Sequence, residues 1–334
     1  MFIPESYALA VVLCVVTMLC WGSWANTQKL ASKKWPFPLF YWDYSIGIIL
    51  LTLIFGLTLG SSGEGGRAFL NDIGQGSSAS FWSAFLGGVV FNIANLLIVA
   101  AIDIAGMAVA FPVGIGIALV LGVIVNYIAV PVGNPYLLFG GVALVMVAII
   151  IDALAYKRLS SSNQETPTRG ILLSIAGGIL MGFFFRFVAA SMSTDFEQPA
   201  AGLYTPYGAV FIFSIGIFVS NFLWNSFFMY RPFKGEAVGY LDYFRQGDLK
   251  LHLIGVLGGI IWCIGMSLSL IASEKAGFAI SYGLGQGATM VAAAWGVFIW
   301  KEFAQAPKGT NRMLYLMFLS FIAGLALIII SRLG

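Results

Sequence analysis

Polar side chains interrupt several apolar stretches of this chain, and their types suit hydrogen bonding of a small solute. The segment WGSWANTQK, residues 21–29, places Trp21, Trp24, Asn26 and Lys29 close together. Indole faces stack on the C–H side of sugar rings or on flat heterocycles, and carboxamides hydrogen-bond hydroxyl or carbonyl groups. The segment is therefore a candidate binding surface. The alternative is an interfacial aromatic belt with a snorkelling lysine.

Two further stretches carry amides inside apolar sequence. FNIAN supplies Asn92 and Asn95, and SYGLGQG supplies Tyr282 and Gln286 at a spacing of four residues, on one helical face beside small glycines. That combination leaves space for a ligand and offers it a polar edge. Helix packing is the alternative at both places, and it is our interpretation for the remaining buried amides, Asn126, Asn221 and Asn225.

Proton-coupled chemistry needs a side chain that titrates, which arginine cannot supply. The candidates are Asp43, Asp103, Asp152 and Glu274. Asp43 lies a few residues into an aromatic-rich helix start, where partial burial favours protonation, and we predict it as the proton-coupling residue. We interpret Asp103 and Glu274 as wetted helix ends, Asp152 as an interfacial partner of Lys157, and the single histidine, His252, as an interfacial residue.

Composition fixes the class of protein. The chain has 334 residues, of which 60% are hydrophobic and 9% charged, against about 25% charged in a soluble domain. It is expected to be a polytopic protein of the lipid bilayer. A net charge of +3 without a basic cluster gives no reason to expect nucleic-acid binding. Cys14, Cys20 and Cys263 lack metal-site spacing, and we expect no metal, no cofactor and no catalytic residues.

Ten runs of sequence are long enough to span a bilayer, which takes about 20 apolar residues each. They lie near 5–30, 40–60, 81–101, 107–130, 135–156, 170–193, 204–230, 251–273, 278–300 and 312–333. We interpret the first as a retained helix, because no basic region precedes it. Pro112, Gly114 and Gly116 predict a break in the fourth.

An internal repeat organises these spans. Residues 86–116 align with 257–287 without a gap, with identity at eleven of the 31 positions, Phe91 over Trp262 and Asp103 over Glu274. The unit is then five helices, and an odd number inverts the second copy relative to the first. We predict an all-α membrane protein of ten transmembrane helices as two inverted five-helix repeats, residues 1–156 and 170–334, joined by a cytoplasmic linker at 157–169. Trp262 joins the binding candidates because it shares the depth of Phe91.

Basic residues set the predicted orientation. The loops after the first, fifth, seventh and ninth spans hold thirteen Lys and Arg residues, and the other side holds Arg67, Lys275 and Arg332. By the positive-inside rule the thirteen are cytoplasmic. Both termini are then outside, in a cell (inner or plasma) membrane.

Arg186 lies between phenylalanines in GILMGFFFRFVAAS, residues 178–191. Seventeen residues from Arg169 cover about 25 Å, which puts Arg186 in the outer part of a core about 30 Å thick. Matching Gly182 to Gly22 sets Arg186 over Asn26. We predict that Arg186 lines the outer vestibule; snorkelling to the interface is the alternative.

Several motifs carry a resemblance to the drug/metabolite transporter superfamily. LCWGSW (19–24) resembles the start of bacterial glucose/ribose porters, and LGGIIWCIG with AGFAISYGLGQGATMVAAAWGVFIWKEF (257–265 and 276–303) is similar to those porters and to rhamnose–proton symporters. WDYSIG (42–47) and FFMYRPFKGEAVGYLDYF (227–244) resemble the ureide permeases, which carry allantoin and nucleobases. Their central loop is long, whereas here it is only KRLSSSNQETPTR.

The resemblance implies a secondary transporter that works by alternating access. A monosaccharide imported with a proton is our first expectation, because two of the three resembling groups carry sugars. A ureide, nucleobase or nucleoside permease is the alternative, and an exporter of drugs or metabolites is a second. An embedded enzyme is not expected, because no catalytic or metal-ligand motif occurs. The oligomeric state is left open.

Overall fold

The computed structural model describes residues 1–31, 34–159, 168–233 and 235–333, and in these ranges the regular structure is helical, with one isolated bridge between Met192 and Tyr204. The first part holds α1 (Tyr7–Ser23), α2 (Ala25–Ala31), α3 (Phe37–Leu57), α4 (Phe69–Gln75), α5 (Ser78–Ala105), α6 (Met107–Ala129) and α7 (Pro135–Leu159). The second part holds α8 (Thr168–Ala190), α9 (Pro206–Asn221), α10 (Trp224–Tyr230), α11 (Tyr240–Gln246), α12 (Leu249–Ala276), α13 (Phe278–Gly285), α14 (Ala288–Ala294), a π-helical turn (Trp295–Ile299) and α15 (Thr310–Ile330).

Within the described ranges, nine stretches are long and apolar enough to cross a membrane. They are Tyr7–Ala31, Phe37–Leu57, Ser78–Ala105, Val109–Ala129, Pro135–Leu159, Thr168–Ala190, Pro206–Tyr230, Leu249–Ala276 and Thr310–Ile330. Each matches a span that the sequence predicts. The chain is therefore an all-α, multi-pass membrane protein. The middle of the predicted linker, residues 160–167, lies outside the described residues, as do Lys33 and Lys234.

The predicted span at 278–300 is not one continuous helix, which corrects the expectation of ten. It is divided into α13, α14 and the π-helical turn. At the division the N–H of Gly287 bonds the carbonyl of Leu284 at 2.9 Å, three residues back instead of four. Gly283, Gly285 and Gly287 cluster there, and glycine is a weak helix former. The predicted break at Pro112 is absent, because α6 runs through this residue.

Glycines allow the closest helix contacts. A Cβ added to Gly259 of α12 would lie 1.9 Å from the carbonyl oxygen of Tyr44 in α3. A Cβ added to Gly88 of α5 would lie 2.1 Å from the carbonyl oxygen of Phe213 in α9. Small residues at such crossings let backbones approach in a membrane, where packing and not the hydrophobic effect drives association. Positions 88 and 259 are the ones that the internal alignment pairs.

Contacts at the helix ends define two faces of the bundle. The terminal face holds the chain ends: the Met1 nitrogen donates to the Gly65 carbonyl at 2.6 Å, Tyr7 Oη donates to the Ile329 carbonyl at 2.7 Å, and the Phe196 N–H donates to Glu274 Oε1 at 2.8 Å. The opposite face holds the ends of α2, α7 and α10 and the segment after the π-helical turn. Side-chain contacts join neighbouring elements at both faces.

On the terminal face, Asp72 of α4 links the segment 58–77, which contains α4, to the loop at 191–205. Its carboxylate accepts from Arg67 Nη1 at 2.9 Å and from the N–H and Oγ1 of Thr205, both at 2.9 Å. Asp72 is fully buried. The ion pair and the two additional hydrogen bonds offset part of the desolvation of this charge, and burial still raises the pKa of Asp72.

Candidate functional site

Trp262 lies at the centre of an aromatic cluster in the middle of the bundle. Its ring stacks on Trp21 of α1 at 6.1 Å and 14° and on Phe213 of α9 at 6.2 Å and 21°. Tyr44 of α3 lies 6.3 Å away and Phe91 of α5 lies 4.5 Å away. Rings from five helices therefore meet at one place, midway along α12. Trp24 extends the cluster, 4.9 Å from Tyr44.

Phe91 and Trp262 are paired by the internal alignment, and they contact each other. Trp21 Nε1 also donates to the Trp262 carbonyl at 3.2 Å. The ring of Trp262 is nearly buried, at 5% exposure. The aromatic cluster, Trp21, Tyr44, Phe91, Phe213 and Trp262, thus has flat apolar faces and no charged member.

An amide pair adjoins this cluster. Asn92 follows Phe91 on α5, and its Nδ2 lies within hydrogen-bond distance of the Ile217 carbonyl (3.1 Å), Ser220 Oγ (2.8 Å) and Asn221 Oδ1 (3.0 Å). Asn92 and Asn221 are both fully buried. Among the described residues, Asn92 Oδ1 and Asn221 Nδ2 have no hydrogen-bond partner. One buried acceptor and one buried donor are left over.

Asn95 connects this polar region to the rings. Its Nδ2 donates to Tyr41 Oη at 3.2 Å, and the Tyr41 ring stacks on Tyr44 at 5.2 Å and 16°. Tyr44 Oη is buried and has no partner within the described part of the chain. The predicted residues Asn92 and Asn95 therefore lie beside the aromatic cluster.

Asp43 is held in a second polar cluster near the opposite face. Trp35 Nε1 donates to its Oδ2 at 3.2 Å, the Tyr243 hydroxyl donates to its Oδ1, and His252 Nδ1 lies 3.0 Å from Oδ1 and 3.1 Å from Oδ2. Asp43 is 1% exposed. Burial and the neighbouring Asp43 carboxylate raise the pKa of Tyr243 above its usual range, so this hydroxyl stays protonated and donates.

Asn26 and Lys29 belong to the closure of the opposite face. Lys29 Nζ contacts Glu302 Oε1 at 2.6 Å and lies 4.2 Å from the centre of the Trp300 ring. Trp300 Nε1 donates to Asn26 Oδ1 at 2.7 Å, and Tyr156 Oη donates to Glu302 Oε2 at 2.8 Å. These contacts join α2, α7 and the segment after the π-helical turn.

Tyr282 and Gln286 do not join the aromatic cluster. Tyr282 is fully buried, and its Oη donates to the Ala118 carbonyl at 3.1 Å and the Met181 carbonyl at 3.3 Å. Its ring packs on Phe185 at 5.2 Å. Gln286 lies at the division between α13 and α14 and is nearly buried. Their substrate-lining role stays a prediction.

Arg186 lies apart from both clusters. It shares the exposed stripe of α8 with Ile179, Phe183 and Phe187, and it is itself partly exposed. Its placement on that stripe favours the snorkelling alternative. The predicted role in the outer vestibule stays a prediction.

Sequence reasoning missed Asn221, His252 and Tyr243. Asn221 lies 129 positions from Asn92, and His252 lies 209 positions from Asp43, so spacing carries no signal of either contact. One signal was available: His252 is the only histidine, and Asp43 is the one carboxylate placed inside an aromatic-rich helix start. Among the described residues, no group of three or more His, Cys, Asp or Glu side chains could hold a metal ion.

A bundle of apolar spans around buried rings and amides is the arrangement expected of a membrane transport protein. The ureide permease family profile matches residues 40–169 and 168–331, nearly the whole chain. The chain belongs to the ureide permease family, in the drug/metabolite transporter superfamily, which confirms the resemblance drawn from its motifs.

Individual relatives cover the full length. The chain is 23% identical to ureide permease 4 and 24% identical to ureide permease 1, both of Arabidopsis thaliana, over 99% of each chain. The alignment with ureide permease 4 runs over 399 positions, so that relative carries insertions that this shorter chain lacks. A protein of known crystal structure superposes with a TM-score of 0.62 at 14% identity, over 97% of this chain and 98% of the other. That likeness shows the fold alone.

Proposed function

We propose that this protein imports a small cyclic ureide or nucleobase by alternating access. The observation that carries the proposal is the amide pair beside the aromatic cluster, because flat heterocycles need ring faces for stacking and amides for their N–H and C=O groups. Family membership supports the same substrate class. It favours the ureide alternative of the sequence analysis over the monosaccharide, which we do not propose.

The contact pattern supports two related halves, residues 1–156 and 170–334. Gly88 meets the Phe213 carbonyl as Gly259 meets the Tyr44 carbonyl, so α5 packs on α9 as α12 packs on α3. With five helical units in each half, counting the divided segment at 278–300 as one, the copies are inverted. We assign the terminal face to the outside of a cell membrane, following the basic loops.

Transport then requires the two faces to open in turn. The Asp72 contacts would release for entry from outside, and the Lys29–Glu302 contact would release toward the cytoplasm. Asn26 and Lys29 would line the inner mouth once it opens. An exporter with the same fold would use the same contacts in the reverse order, so direction has to be measured.

Asp43, with His252, is our proton-coupling group. The titratable side chains against the carboxylate are His252 on α12 and Tyr243 on α11, and Trp35 adds an N–H donor. A proton on the pair would neutralise a buried charge while this face stays closed. Opening would wet the pair and release the proton into the cytoplasm, because water stabilises the ionised carboxylate.

The experiment is uptake by vesicles that contain the purified protein, with labelled uracil, allantoin and glucose in separate assays. We expect saturable uptake of uracil or allantoin, abolished by an uncoupler, and no uptake of glucose. Uptake of glucose alone, or of none of the three, would refute the proposed substrate class. Outward transport alone would support the exporter.

Coupling is tested with Asp43→Asn, which removes the titrating group and keeps the side-chain shape. We expect loss of accumulation driven by a pH gradient, with substrate exchange across the membrane retained. Glu236→Gln, an exposed carboxylate in the loop before α11, is the control and should accumulate substrate normally. Gradient-driven accumulation by Asp43→Asn would remove this residue from the coupling mechanism.

A further inference from the structure

The carboxamides of Asn92 and Asn221 form one hydrogen-bonded pair. Asn92 Nδ2 donates to Asn221 Oδ1 at 3.0 Å, and the pair bridges α5 and α9. That bond uses the donor of one amide and the acceptor of the other. Asn92 Oδ1 and Asn221 Nδ2 remain, both buried and both without a partner among the described residues.

The two unpaired atoms define the hydrogen-bonding groups that a ligand must supply. A buried polar atom without a partner is costly, and here one acceptor and one donor lie on directly bonded side chains. A ligand that satisfies both must offer an N–H next to a C=O. The cis-amide edge of a cyclic ureide or an imide has this arrangement in one plane.

The position of the Asn92–Asn221 pair is consistent with binding a flat ring. Asn92 directly follows Phe91, whose ring lies 4.5 Å from Trp262. The carboxamide pair is therefore next along α5 to a member of the aromatic cluster, on whose rings a flat heterocycle would stack. Tyr44 Oη, buried and also without a partner among the described residues, supplies one more hydroxyl near the rings.

We propose that Asn221, together with Asn92, hydrogen-bonds the cis-amide edge of the substrate and so determines specificity. This inference rests on the proposed function. It assigns a role to Asn221, which the sequence analysis interpreted as a packing residue. Asn221 Nδ2 donates to the substrate carbonyl, and Asn92 Oδ1 accepts from the adjacent N–H.

The test compares two unlabelled competitors against uptake of labelled uracil. Uracil has N–H groups beside its carbonyls, and 1,3-dimethyluracil has the same ring without any N–H. In the unmodified protein we expect uracil to compete at least about tenfold better, because a ligand without N–H groups leaves buried polar atoms unpaired.

Asn221→Ser removes the donor nitrogen and leaves a small polar side chain on α9. We expect uracil to bind more weakly by about tenfold, which reduces the ratio between the two competitors toward one. Asn126→Ser is the matched control: Asn126 is also a fully buried amide with an unpartnered Oδ1 among the described residues, but it bonds its own helix at the Gly122 carbonyl. It should keep the ratio of the unmodified protein.

The size-exclusion profile shows whether Asn221→Ser is folded. If it is not, Asn221→Leu provides a second variant, whose side chain has a similar volume and no donor. A tenfold ratio retained by either folded Asn221 variant would overturn the inference while leaving the proposed function standing. Absence of uracil and allantoin uptake by the unmodified protein would overturn both.

Discussion

The contact between α3 and α12 predicts that a single methyl group will disable this protein. In Gly259→Ala the new Cβ would lie 1.9 Å from the Tyr44 carbonyl oxygen and 3.1 Å from the Ile48 nitrogen. Real contacts of this kind essentially never fall below 3.0 Å. Both close atoms belong to backbone inside a helix, so no side-chain rotation can relieve the clash.

The helices must therefore separate by at least the difference between 1.9 and 3.0 Å, about 1.1 Å. Overpacking of this kind costs about 1–3 kcal/mol. The separation also moves Tyr44 away from Trp262, whose rings lie 6.3 Å apart. We expect a lower melting temperature and a fall in uptake of at least tenfold, because the shift reaches the aromatic cluster.

Thermal unfolding in detergent and vesicle uptake measure the two effects. Gly140→Ala is the control within a span, since its Cβ would meet only a Leu327 methyl group at 3.9 Å. Gly88→Ala should resemble Gly259→Ala, because its Cβ would lie 2.1 Å from the Phe213 carbonyl. If Gly259→Ala behaved like Gly140→Ala in both assays, the close crossing of α3 and α12 would be wrong.

Three further variants test the two faces and the aromatic cluster. Asp72→Asn removes the buried ion pair on the terminal face. In a background without native cysteines, we expect a membrane-impermeant maleimide to label a cysteine placed at buried Ser193 faster in this variant. Unchanged labelling would contradict the closure of this face. Glu302→Gln breaks the partly exposed ion pair with Lys29, so the free energy of unfolding should fall by less than about 1 kcal/mol. Substrate exchange should become faster. A larger fall in the free energy of unfolding would indicate a structural role. Trp262→Phe should raise the KM a few-fold, and Trp262→Leu at least tenfold, because only Phe keeps a ring face; equal KM values would exclude stacking.

The sequence alone pairs two glycines and two aromatic residues that the structure places at helix contacts. Gly88 and Gly259, paired by an alignment without a gap, each meet a backbone carbonyl of another helix, because a close helix crossing tolerates only hydrogen at that point. Phe91 and Trp262 were predicted to share a depth, and they contact each other. Nine of the ten spans were also predictable, because apolar length is dictated by the bilayer itself.

Other features depend on tertiary contacts that local pattern does not encode. The N–H of Gln286 bonds the Tyr282 carbonyl at 3.2 Å, as a spacing of four on one helix requires, but local pattern does not show that the helix divides directly after Gln286. His252 follows a helix start that looks interfacial, and only the fold shows that α12 turns it toward Asp43. The sequence analysis interprets Asn221 as a packing residue, because its partner, Asn92, is on another helix and is not visible from spacing.

The clusters also differ in how an opening motion would affect them. Contacts that close the two faces, such as Asp72 with Thr205 and Lys29 with Glu302, each join segments that must separate for access. In the two-half arrangement that we propose, Phe91 and Trp262 occupy paired positions, and because their rings touch they would lie next to the axis that relates the halves. Points near such an axis move least when the halves rock. A substrate held there can keep its stacking contacts while the two faces open in turn, which is the property that alternating access requires of a central site.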